Sequence, residues 1–195
     1  MLSSGGAHGP GQPKDKIGIA VNRVTLAGLA CGLALILLAC SSKLSKNGPF
    51  GNGGSNTGTI CTWTKPGGVA HDSFDEFPDT GGTATIDTVA LVHPRHLRLI
   101  AAWVVPVPAN GSLGSAGPGY PHASPGFHWG QRQRIPGAIV RHTPGKDVIN
   151  LVIVMKPTAK FGTATAVNLF YKAAGTRYLL HFPFGYKIVD GHKCD

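Results

Sequence analysis

The chain has 195 residues, 28 of them Gly and 15 Pro; only 14% are charged, and the formal net charge is +9. That length suits one ordinary domain with a real core once the N-terminal region is set aside. The basic residues are scattered rather than gathered in a run, which argues against nucleic acid as a partner and for contact with anionic surfaces.

Residues 1–23 are expected to be disordered, since Met1 to Gln12 is mostly Gly, Pro, Ser and Ala. Lys14, Lys16 and Arg23 follow, and then Val24 to Cys40, 17 residues without a charge. A positive flank followed by an apolar run is the layout of a secretory signal or a membrane anchor. As a helix this run spans about 25 Å, near the lower limit for crossing a bilayer. The three cations and the one anion (Asp15) before the run account for +2, so the part beyond it carries about +7.

The run ends Leu37-Leu38-Ala39-Cys40, followed by Ser41 and Ser42. These four residues resemble the lipobox of bacterial lipoproteins. The resemblance implies diacylglycerol on the Cys40 thiol and cleavage before it, leaving the domain on the bacterial cell membrane, on its extracytoplasmic side. It covers residues 21 to 42 only. With Val21 as an alternative initiation site, the signal would open Val21-Asn22-Arg23 and enter the apolar run at once. An uncut helix over residues 24–40 is the other anchor, and it places the C-terminal part on the same side.

Residues 41–58 are rich in Gly, Ser and Asn and read as a flexible linker. The exported domain is then residues 59–195. Cys31 lies in the apolar run and Cys40 in the lipobox, so Cys61 and Cys194 remain as a pair outside the membrane. An even pair in an oxidising compartment predicts a disulfide. Its loop exceeds a hundred residues, for which chain entropy suggests about 4–5 kcal/mol of stabilisation.

Thr59 to Thr64 alternates and is β-branched, a strand ended by Pro66-Gly67-Gly68. Val69 to Gly82 reads as a loop with His71, Asp72, Asp75, Glu76 and Asp79. Thr83 to His93 is the next strand, and His93-Pro94-Arg95 a turn. Leu97, Leu99, Ala101, Trp103 and Val105 then alternate, which predicts one core-facing side for that strand.

Pro106 to Pro136 is Gly- and Pro-rich and irregular, and loops of that length are often functional. It holds Tyr120, Phe127, His128, Trp129, Arg132 and Arg134, an aromatic and arginine mixture typical of partner contacts. These six residues are the candidate partner-binding surface. Gly137 to His142 is a short strand, and Val148 to Lys156 is apolar nearly throughout, a central strand buried on both faces. Thr163 to Tyr171 and Thr176 to Phe182 form a hairpin around Lys172-Ala173-Ala174-Gly175, and Gly185 to Val189 is the last strand.

Short strands with regular turns predict an all-β domain, a single β-sandwich that is immunoglobulin-like in the broad sense, after the N-terminal signal or anchor helix. No Gly-x-Ser-x-Gly elbow, phosphate loop or dinucleotide fingerprint is present. The reading is therefore a binding or structural module without a cofactor or catalytic residues, whose partner is a cell-envelope protein or an anionic surface polymer. The alternative is a metal-dependent hydrolase built from His71, His93, His96, His122 and His128 with the acidic loop, although no spacing in the chain marks a metal site.

Overall fold

Val148–Pro157 (β8) carries apolar side chains in both directions, and in the computed structural model it is the central strand of the largest sheet. The structure describes residues 44–51, 57–74, 82–108, 116–122, 128–142, 148–191 and 193–194. Residues 1–23, the apolar run 24–40 with Cys40, and Phe127 lie outside the described residues. Among the described residues no helix is long and apolar enough to cross a membrane.

The fold is nearly all β. The strands are Gly58–Thr64 (β1), Ala70–Phe74 (β2), Gly82–Val92 (β3), Leu97–Val107 (β4), Gly117–Pro118 (β5), Gln133–Arg134 (β6) and Ala138–His142 (β7). After β8 come Phe161–Ala164 (β9), Ala166–Ala173 (β10), Thr176–Phe182 (β11) and Phe184–Asp190 (β12). They form three sheets, in the orders β5-β2-β8-β4-β6, β11-β10-β3-β7 and β1-β12-β9. Each sheet contributes to one core: Leu151 and Ile153 from the first, Leu169 and Leu180 from the second, Tyr186 and Ile188 from the third.

β1 and β12 run parallel, with Cys61 opposite Lys187. The predicted disulfide is present: Cys61 and Cys194 are bonded, Cα atoms 6.1 Å apart, across 133 residues of sequence. It fastens the first strand of the domain to the segment beyond the last.

Four sequence expectations are corrected. Residues 70–74 are a strand rather than part of a loop, because Ala70, Asp72 and Phe74 point inward while His71 and Ser73 point outward. An inward carboxylate hides that alternation from any apolar-periodicity test. The single strand expected over residues 163–171 is two, because Thr165 breaks it and binds the Val92 carbonyl through both its N–H and its hydroxyl. β9 and β10 thereby enter different sheets. The hairpin loop is a two-residue turn, Ala174-Gly175, both at positive φ, which suits the twist of the flanking strands.

The fourth correction concerns the linker. Its described part, residues 44–51, is a strap docked on the domain. Ser45 pairs in parallel with Tyr178: its N–H donates to the Arg177 carbonyl and its carbonyl accepts from Leu179 N–H. Phe50 is 5% exposed and packs on Tyr171 with ring centroids 4.5 Å apart. A Cβ at Gly48 would overlap the Tyr171 hydroxyl, so only Gly fits where the strap crosses that ring. Burying one aromatic side chain contributes roughly 1.5–3 kcal/mol, enough to hold a short segment that composition alone assigns to a tether.

Candidate functional site

The outer face of the five-stranded sheet brings the aromatic residues together, and a β-bulge is the cause. β4 pairs with β8 as Leu99 with Met155 and then Ala101 with Val154, so Ile100 is an extra residue. A bulge reverses which face the following side chains occupy. Beyond it Ala102 and Val104 enter the core, while Trp103 turns outward. The uniform alternation expected through Val105 therefore holds only to Leu99. A cleft of about 160 Å³ opens at the bulge, between Thr88 and Val89 on one side and Leu99 to Ala102 and Arg134 on the other.

Trp103 is the centre of the surface. Trp129 meets it with centroids 5.5 Å apart at 61°, and Tyr120 at 6.5 Å and 66°. Both are edge-to-face arrangements, each worth about 0.5–1.5 kcal/mol beyond the area buried. The Arg132 guanidinium lies 4.7 Å from the centre of the Trp129 ring and also donates to the Trp129 carbonyl at 2.9 Å. Arg134 is the cross-strand partner of Trp103, so the two share a face. Tyr120 is 50% exposed.

Each of these side chains is held by local structure. β5 pairs with Ala70 and His71 of β2. The His71 ring donates from Nδ1 to the Gly119 carbonyl at 3.0 Å, and Gly119, at positive φ, donates to the Val69 carbonyl. This fixes the turn that presents Tyr120. Burial holds His71 below the ordinary histidine range, and the nearby His122 acts in the same direction against the opposing Gly119 bond. A neutral imidazole keeps one N–H for that carbonyl. Trp129 and Arg132 sit on and just after a 3-10 turn, Trp129–Gln131, preceded by His128. Gln133 fastens the next segment by pairing its side-chain amide with both the N–H and the carbonyl of Ile139.

Among the described residues no carboxylate forms an ion pair with Arg132 or Arg134. Asp87 faces Lys172 and Arg177, and Asp190 binds Thr64 and the Gly67 N–H. Asp72 lies inside the core, where the Tyr186 hydroxyl donates to it at 2.5 Å. Its placement corrects the reading of Asp72 as part of a solvated or cation-binding loop; Asp75, Glu76 and Asp79 lie outside the described residues. Burial pushes the Asp72 carboxyl up to about 6, against the lowering effect of bonds from Tyr186 and from the Ser73 and Ala116 backbone. The Tyr186 hydroxyl is pushed up by burial and by the adjacent carboxylate, so it is a donor at every physiological pH. Among the described residues no group of three His, Cys, Asp or Glu side chains is placed to hold a metal ion.

Of the sequence candidates, Tyr120, Trp129, Arg132 and Arg134 thus gather around Trp103, and His128 starts their turn. Trp103 escaped sequence reasoning because it fits an unbroken alternation. So did Asn150, which is fully buried in β8 with neither its amide nitrogen nor its carbonyl oxygen bonded. Asn150 pairs with Val105, two residues along β8 from the Val152 that faces Trp103. Its signal was visible, as the one polar residue within an apolar run from Val148 to Met155. No protein-family model matches the chain, and no curated protein matches it in sequence.

Proposed function

We propose that this chain is an extracytoplasmic binding module of a bacterial membrane, lipidated at Cys40 and carrying a β-sandwich that is immunoglobulin-like in the broad sense. The Trp103 surface is its binding site, and an anionic surface polymer or an envelope protein with an acidic face is its partner. The observation that carries this reading is the continuous contact from Tyr120 through Trp103 and Trp129 to Arg132, beside an Arg134 that no carboxylate among the described residues neutralises. The exposed Tyr120 ring and the half-buried Trp103 and Trp129 provide apolar contact at low entropic cost, and the guanidinium groups beside them select anions. The disulfide supports an oxidising compartment, the environment that export would give.

The test is retention on isolated wall polymer at low and high salt. The full chain should be retained at low salt, released as salt rises, and lost on changing Trp129 and Arg132 together to Ala. Equal retention of that double variant would remove the surface from the function.

A further inference from the structure

The strap creates a second, separate cleft. Lys46 and Asn47 project beside the outer face of β10 and β11, and with Asn168, Leu179 and His181 they line a cleft of about 440 Å³. That volume is in the range of small-molecule sites. Asn168 and His181 face each other across the two strands, with Oδ1 and Nδ1 2.7 Å apart. With His181 Nδ1–H as donor, the carbonyl oxygen of Asn168 is occupied and its NH2 group stays available. The cleft then offers the ammonium of Lys46 and the amides of Asn47 and Asn168, and no carboxylate lies among its described lining residues. Donors with one cation over an apolar floor, Leu179, fit a phosphate ester. Among the described residues, the same side of the sheet carries Lys172 and Arg177 against Asp87 alone, two cations to one carboxylate.

We infer that this cleft holds the headgroup of an anionic phospholipid from the membrane in which the protein is anchored. The inference rests on the proposed anchoring through Cys40 or residues 24–40. Three residues, Ser41, Ser42 and Lys43, separate Cys40 from Leu44, the first described residue of the docked strap. Fully extended, those four steps reach about 14 Å, whereas a headgroup layer is roughly 5–8 Å deep. With the strap bonded to β11 there is no long tether to lift the domain away. Leu44, next to the bonded Ser45, is 43% exposed, an apolar side chain on the Cys40 side of the strap. The strap that lines the cleft thus lies within reach of the phosphate groups around an anchored Cys40, and lipid occupying the cleft would pin the strap and fix the orientation of the domain.

The reporter is the Leu179 amide, which donates to the Ser45 carbonyl and so reads strap docking. Full-length protein extracted from its own membrane is placed in vesicles of phosphatidylcholine, or of phosphatidylcholine with phosphatidylglycerol. Hydrogen–deuterium exchange is then followed in the peptide containing Leu179. Exchange should be about fivefold slower with phosphatidylglycerol, the effect of one cation at an anionic surface, and Lys46→Gln should abolish the difference. Equal rates in both lipids, in protein that floats with the vesicles, would overturn the headgroup site and leave anchoring intact. Slowing that survives Lys46→Gln would also overturn it. So would slowing in neutral vesicles on adding inorganic phosphate, which would assign the cleft to a soluble anion. Protein that floats with neither vesicle would show instead that the anchoring reading fails.

Discussion

The rings of Trp103 and Trp129 meet edge to face, centroids 5.5 Å apart, because β4 carries one extra residue at Ile100. Without that residue Trp103 would point into the core and lose its edge-to-face contact with Trp129. The proposed binding surface is thus a consequence of strand register as much as of the segments that carry Tyr120 and Trp129.

Trp103→Ala should reduce retention on anionic wall polymer about tenfold or more, as expected for a central aromatic contact. Arg134→Gln, at an exposed position, should reduce it less and flatten its salt dependence. Retention measured across a salt series checks both, and an unchanged Trp103→Ala profile would contradict the site.

Asp72 gives the domain an unusual acid response. Its carboxyl, pushed up from 3.8 to about 6, binds a proton more tightly in the folded state than in the unfolded chain. Stability should therefore rise as pH falls from about 6 toward 4, by about 2–3 kcal/mol, and be lowest for this group above pH 6. Asp72→Asn should be more stable than the wild type at pH 7 and should lose this component. Thermal melts of both proteins across that interval separate Asp72 from the histidines; parallel curves would mean that Asp72 ionises normally.

Asn150 breaks the local rule of its strand, a polar group among apolar neighbours with both amide atoms unpaired. Leaving such a group buried costs about 1–3 kcal/mol. Asn150→Val should accordingly raise the melting temperature. A lower one would show that the amide has a partner in solution, an ordered water being the simplest.

Changing Cys61 and Cys194 together to Ser should lower the unfolding free energy by about 2–5 kcal/mol, because the link closes 133 residues and secures the parallel β1–β12 pair. Melting with and without reductant gives the same comparison on the unmodified chain. No shift would mean that the β1–β12 ladder alone holds the two ends.

Much of this architecture was legible in the sequence. The apolar run of β8, the strands β1, β3, β7, β11 and β12, and the Cys61–Cys194 link follow from periodicity and cysteine placement. What was not legible depends on tertiary choices that leave no local mark. The bulge at Ile100 sits in a run of apolar residues where either register looks acceptable. Asp72 reads as solvated until Tyr186, 114 residues later, is found beside it. Phe50 lies in a Gly- and Asn-rich segment whose composition describes a tether, and only the ring of Tyr171 shows why it docks. In the candidate site, composition identified Tyr120, Trp129, Arg132 and Arg134, while their common neighbour Trp103 emerged only from the sheet.

The most direct test of the central claim is the intact mass of the protein recovered from its own membrane fraction. Lipidation predicts a chain that begins at Cys40 and is heavier than its polypeptide by a diacylglyceryl group. A mass equal to unmodified polypeptide, with the N-terminal region still attached, would contradict lipidation at Cys40.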